Sequence, residues 1–535
     1  MNKTVKKLLV VFLATLFIFG TAGCNRNSVD NTVVDETNLR IMILNRGYGV
    51  EWLNQLATMY ESEHPGINVD VSEAITRDTL DNSVRSGASR NDIDLYFDVS
   101  ELQTASLVDT YSSIDGGIYD ISALYSRQIP GEDISYGEKM NTSVRTELQI
   151  DGKYYSVPWA TATLGIFYNE TVLNNVLGND WEIPNTSDEL LELGDDFLTN
   201  GGERNKFFLY AGALDLIGRS MFLPWWAQYE GTDNYELFWQ GIYDDEEDGL
   251  EGNSVKIYTQ LGRLKALEAL EPLCRADNGY AIENAAELTA DNYKRYQTRF
   301  FTSEQGYALY PCGDWLEQES ATGGNSVVKM MKLPIISSIV EKCPSIDGAD
   351  NGGDADAELS ALIDAIDAGI SDISGDGYNV TQDDYDYVYD ARHISTSMSN
   401  FHIAYIPAYA NAKSLAEDFL LFMASDRAIS TYKQYCKGGF LPFTYQYENS
   451  ELTELERSVE EVSENAEFVY YSLKNPLFYK GGIFSYTMTG TNIDVVLNVS
   501  ESSSQYMTAR EVYDWFINYY SPESGRWESA LSRLN

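Results

Sequence analysis

From residue 38 onward the chain alternates short apolar runs with amphipathic stretches of helical period. "NLRIMIL" (38–44) has the pattern of a buried strand, and "NRGYG" then leads into a helix over Val50–His64. Its apolar positions Trp52, Leu53, Leu56, Ala57 and Tyr60 recur at helical spacing. Pro65-Gly66 ends that helix, and "INVDVSEA" and "DIDLYFDV" (92–99) predict the next strands. Such strand–helix–strand alternation predicts an α/β lobe with a largely parallel sheet.

The same reading continues downstream. "DGKYYSVPWATATLGIFYNE" (151–170) predicts a short strand pair around a turn, then an apolar strand over Leu164–Tyr168. "IPNTSDELLELGDDFL" begins a helix with a capping box, Thr186 with Glu189, and "MTAREVYDWFINYY" (507–520) begins another, Thr508 with Glu511. Further patterned stretches are "QGYALYPCGDWLEQE" (305–319), "VVKMMKLPII" (327–336) and "FHIAYIPAYANAKSLAEDFLLFMAS" (401–425), the last predicting a strand, a turn and a helix. No internal repeat is present.

The first 24 residues follow a different rule. Lys3, Lys6 and Lys7 precede the apolar run Leu8–Phe19, and small residues lead to Cys24. That is a signal-peptide pattern, too short for a span of about 20 residues. Thr21-Ala22-Gly23-Cys24 resembles a bacterial lipobox, with Thr21 where an aliphatic residue is usual. Residues 1–23 are therefore expected to be removed, Cys24 to be lipidated, and 24–37 to be a flexible tether. The expected location is the outer face of a membrane, by lipid anchor only.

Composition narrows the partners. With 535 residues the chain exceeds one ordinary core, so two lobes are expected. The net charge is −45, and loss of residues 1–23 deletes three lysines and no acid. Such a field excludes nucleic acid and an anionic lipid surface as partners. Three histidines (His64, His393, His402) leave little supply for imidazole chemistry or a His-based metal site. Cys274, Cys312, Cys343 and Cys436 have no CxxC spacing, which argues against a thiolate zinc site and gives no disulfide connectivity. No catalytic residues are expected and no cofactor, with one qualification. "DISGDGYNVTQD" (372–383) sets Asp372, Ser374, Asp376 and Asp383 at EF-hand-like positions, with Asp where the bidentate Glu belongs. It is either a calcium loop or an acidic turn capping the next helix.

Taken in order, the lipobox, "NRGYG", "HPGINVDV", "GKYYSVPWATATLGIFYNE", "YALYPCGDWL", "KMMKLPI", "IPAYANAKSLAEDFLLFMASD" and "GGFLPFT" resemble the family-1 extracellular solute-binding proteins of bacterial ABC importers, the maltose-binding-protein class. The resemblance covers most of residues 38–445. It implies a type II periplasmic-binding-protein-like fold: two α/β lobes joined by hinge crossovers, closing on a ligand. It implies a first lobe of 38–157 plus 331–425, with an insertion at about 341–400, and a second of 158–330 plus 426–535. It also implies a monomer that delivers a carbohydrate, an oligosaccharide by preference, to an importer permease. Two other functions compete: the same fold holding a peptide, polyamine or small cation, and a secreted glycan-active enzyme.

A sugar site needs aromatic platforms for C–H faces and carboxylates for hydroxyls. Trp159, among small residues at the implied first crossover, is either platform or core. Asp314 and Trp315 stand at a glycine-preceded loop-to-helix junction, Asp314 as helix N-cap, ligand or both. Trp226, beside Trp225, competes with it for one cleft-facing position. Tyr48 and Asp98 lie beyond strand ends, where ligands of α/β folds collect. Phe440 lies on a glycine-flanked loop. These seven are the candidate ligand-binding residues.

Overall fold

The computed structural model describes residues 37–99, 102–202, 205–208, 215–245, 249–281, 293–302, 306–320, 326–349, 352–370, 380–445 and 452–534. Cys24 and its lipobox lie outside the described residues, as do Asp372, Ser374 and Asp376.

Two sheets organise the chain. The first runs, in spatial order, Asn68–Ala74, Asn38–Leu44, Leu95–Val99, His402–Tyr405, Val157–Pro158. Its first three strands are parallel, with Ile41 opposite both Val71 and Leu95. The last two pair antiparallel. Helix Glu51–Glu63 lays Trp52, Leu53, Leu56, Ala57 and Tyr60 into this core, the five positions its periodicity picks out.

The second sheet centres on Thr163–Asn169, fully buried along its length. Tyr307–Gly313 pairs antiparallel with one edge, while Val328–Met331 and Ile394–Ser397 share the other. Lys206–Phe208 and Glu467–Val469 pair parallel at the flanks. Helices Leu223–Glu230, Leu261–Cys274 and Ala509–Tyr519 cover it with an aromatic-rich core. The last helix has the full capping box, Thr508 N donating to Glu511 Oε2 at 2.9 Å and Glu511 N to Thr508 Oγ1 at 3.2 Å. At Thr186 only half forms: the hydroxyl accepts from Glu189 N, while Glu189 Oε2 reaches past the cap to Asn185 N.

The lobe boundaries differ from expectation in two places. The described residues of 341–394 pack on the second lobe: Cys343, Leu359, Ile363, Tyr385, Val388 and Ile394 join the core of Trp225 and Leu264. The chain does not cross at 331, because the apolar faces of helices Ala355–Asp367 and Gln382–His393 have their partner on that side. It crosses between Ile394–Ser397 and His402–Tyr405. Likewise helix Asp426–Tyr435 stays in the first lobe, where Ile429 and Tyr432 pack with Trp52. Among the described residues no helix is long and apolar enough to cross a membrane.

Candidate functional site

The loop after strand Asn38–Leu44 turns through Gly47 and Gly49, both at positive φ. The φ of +50° at Gly47 favours glycine, and a Cβ there would make an ordinary contact with that of Trp315 at 3.5 Å, which places this first-lobe loop against the second lobe. The loop carries Arg46 and Tyr48. At the opposing strand end, Gly313 delivers Asp314 and Trp315. Between these termini and the crossover residues Met398, Phe401 and His402 lies a cavity of 630 Å³.

Trp315 is half-buried and forms part of the cavity wall. It meets Tyr48 edge-on, ring centroids 6.1 Å apart, and lies 6.0 Å from the His402 ring. Tyr48 and Asp314 are wholly buried beneath it. The Tyr48 hydroxyl donates to Asp314 Oδ1, and Thr163 N donates to Oδ2 at 3.0 Å. Asp314 is therefore not the N-cap of the short helix Leu316–Glu319, which starts from Trp315 without a side-chain cap. Burial pushes the Asp314 carboxyl up to about 7, against the hydrogen bonds and the Lys433 charge that favour its ionised form. Burial likewise lowers His402 to about 4, so its ring is neutral at physiological pH, with Nδ1 3.0 Å from Met398 O.

Of the seven candidates only Trp315 is cavity surface, and four others lie away from it altogether. Trp159 is 1% exposed and stacks on Trp52, centroids 5.3 Å apart and planes 19° from parallel. Its Nε1 donates to Asp98 O at 3.0 Å. Both faces and the polar edge are thus used inside the first lobe, and its small neighbours make room for that packing. Trp226 is equally interior, with Nε1 on Gln260 Oε1 and the Arg263 guanidinium 4.8 Å from its ring. Trp225 donates to Pro334 O, so neither member of the pair reaches the cleft. Phe440 is 7% exposed and packed under Lys433 Nζ, 3.1 Å from its centroid. Asp98 is buried and ion-paired to Arg77, which it holds on the cavity wall.

Sequence reading missed most of the wall: Arg46, Arg77, Arg219, Tyr293, Gln297 and Glu319. The strand-end argument that selects Tyr48 and Asp98 extends to Arg46, two residues from Tyr48, and to Arg77 after strand Asn68–Ala74. Arg219 sits in a π-helical turn, Gly218–Phe222, that no periodicity signals.

A second hollow, 840 Å³, lies behind the crossovers against helices Thr142–Leu148 and Thr232–Gln240. Glu147, Glu236, Glu467 and Trp239 line it. Burial pushes Glu147 up to about 7, opposed by Lys474. Among the described residues, no group of three or more His, Cys, Asp or Glu side chains could hold a metal ion. Asp383 is exposed in the first turn of helix Gln382–His393, which Thr381 caps. Cys312, Cys343 and Cys436 are buried free thiols.

Two sheet-centred lobes that meet beside a strand-end cavity define a type II periplasmic-binding-protein-like fold. Residues 55–294 match the family model described as bacterial extracellular solute-binding protein. Over the whole fold the chain is similar to the sugar-binding protein MalE from the phytopathogen Xanthomonas citri, at 14% identity and TM-score 0.57, covering 93% of this chain and 98% of that one. A probable secreted solute-binding lipoprotein from Streptomyces coelicolor gives 14% identity and TM-score 0.57, covering 91% and 99%. A chitin oligosaccharide binding protein gives 13% and 0.55, covering 93% and 100%. None of the curated protein sequences matches this chain.

Proposed function

We propose that this protein is a non-catalytic receptor that closes two lobes on a carbohydrate and presents it to an ABC importer, held at the outer membrane face by a lipid on Cys24. The observation that carries this reading is the 630 Å³ cavity, walled from both lobes and the crossovers, with Trp315 offering a half-exposed ring. A ligand touching both lobes binds the closed form better than the open one, so binding shifts the population toward closure. The proteins of similar structure include a sugar-binding protein and a chitin oligosaccharide binding protein, in keeping with an aromatic platform. The receptor acts as a monomer and needs no cofactor.

The test is a thermal-shift screen of the purified protein with mono- and oligosaccharides, polyamines and peptides. A saccharide at about 100 times its dissociation constant raises stability by roughly 2.7 kcal/mol. No saccharide response, with one from a polyamine, transfers the function to a cationic ligand. The carboxylates and Trp239 of the second hollow favour that second reading. Release of reducing ends from any glycoside would make the protein an enzyme instead.

A further inference from the structure

The cavity between the lobes presents cationic side chains on its surface, although the molecule as a whole is acidic. The chain carries −45, yet the described residues lining this cavity include three arginines and a single acid, Glu319. Glu319 is answered within its own lobe, accepting from the Tyr293 hydroxyl at 3.0 Å with Lys294 Nζ 3.8 Å away. The arginines come from both sides: Arg46 and Arg77 from the first lobe, Arg219 from the second.

Two of them are held from behind. Arg77 is ion-paired to buried Asp98, and Arg219 Nε to Asp215 Oδ2 at 3.2 Å. The Arg219 guanidinium also lies over Phe401 and Tyr471, 4.6 and 5.0 Å from their centroids. Such anchoring fixes each planar fork and removes much of the entropy cost of using it. It also leaves a donor over: Arg77 Nη2 and Arg219 Nη1 are buried with no hydrogen-bond partner. Buried donors of this kind cost about 1–3 kcal/mol each when unmet. Arg46, by contrast, is exposed at the mouth.

Resting on the carbohydrate reading, we infer that the ligand is an acidic saccharide, whose carboxylate or sulfate group is gripped between Arg77 and Arg219 as the lobes close. A guanidinium fork meets two oxygens of a carboxylate or sulfate with two parallel charge-assisted bonds, which neutral hydroxyls make more weakly. Exposed acidic groups farther than about 8–10 Å are largely screened from the bound group at ordinary salt.

The experiment is calorimetric titration with matched pairs: oligogalacturonides against their methyl esters, and sulfated against desulfated disaccharides of glycan origin. The acid member binds at least about tenfold tighter, the worth of one charge-assisted hydrogen bond. The two kinds of pair separate carboxylate from sulfate. The advantage shrinks as salt rises, and Arg77→Gln reduces the acid-to-neutral ratio more than Arg46→Gln, a change at an exposed position. Equal or tighter binding of the neutral members overturns the inference and leaves the receptor standing. Failure of every acidic member also overturns it. Failure of all saccharides, acidic and neutral, removes the carbohydrate reading as well.

Discussion

The Tyr48 hydroxyl of the first lobe donates to the Asp314 carboxylate of the second, and both side chains are wholly buried. This bond joins the lobes beneath the cavity floor, where Trp315 packs edge-on against Tyr48. A hydrogen bond to a charged group is worth about 1.5–3 kcal/mol. Tyr48→Phe removes it with little loss of volume. The expected result is a lower melting temperature and a larger radius of gyration of the free protein by X-ray scattering.

Asp314 makes stability fall as pH rises. Its folded value of about 7 lies above the ordinary 3.8, so the native state holds a proton that the unfolded chain has released. The contribution is complete below 3.8 and is lost progressively up to about 7. Asp314→Asn removes the slope. Melting curves between pH 4 and 8 therefore show the variant gaining on the native protein as pH rises; a constant gap rejects the assignment.

His402 has the opposite sign over almost the same window. Its value is depressed from 6.5 to about 4, so the unfolded chain binds the extra proton and stability is lost as pH falls through that interval. His402→Gln falls behind the native protein as pH rises above 4. The two buried groups offset each other in the native chain, and only the single variants reveal both slopes.

Trp159→Ala and Trp315→Ala separate core from platform. Loss of the stacked Trp159 lowers stability by about 3–5 kcal/mol in urea titrations. Loss of Trp315 weakens saccharide binding by roughly 1–3 kcal/mol with a smaller shift in melting temperature. The reverse pattern would exchange their roles.

Gly438 tests the contact between the lobes from the backbone side. It has a φ of +78°, and a Cβ there would collide with the Asp314 carbonyl. Gly152 has a similar φ of +76° with open space around it. Gly438→Ala is expected to destabilise beyond Gly152→Ala, the excess measuring the collision rather than the dihedral strain.

The sequence by itself determined the elements and the class of fold. Strand Asn38–Leu44, helix Glu51–Glu63 and the Thr508 capping box depend on neighbours a few residues away, and local pattern records such neighbours. It also drew attention to the strand ends, and so to Tyr48 and Trp315. Tertiary structure decided which aromatic rings stay open. Trp159 and Trp315 have equally suggestive settings in sequence, but Trp52, from a helix 107 positions earlier, covers only Trp159. The lobe to which residues 341–393 belong was settled the same way, by which sheet had a complementary apolar face. The charge of the cavity wall was least legible of all. Arg46, Arg77 and Arg219 are scattered among 37 basic residues, and only the closing of two lobes brings them around one space. Long-range pairing of this kind is fixed by shape and burial summed over both lobes, which no local window of sequence contains.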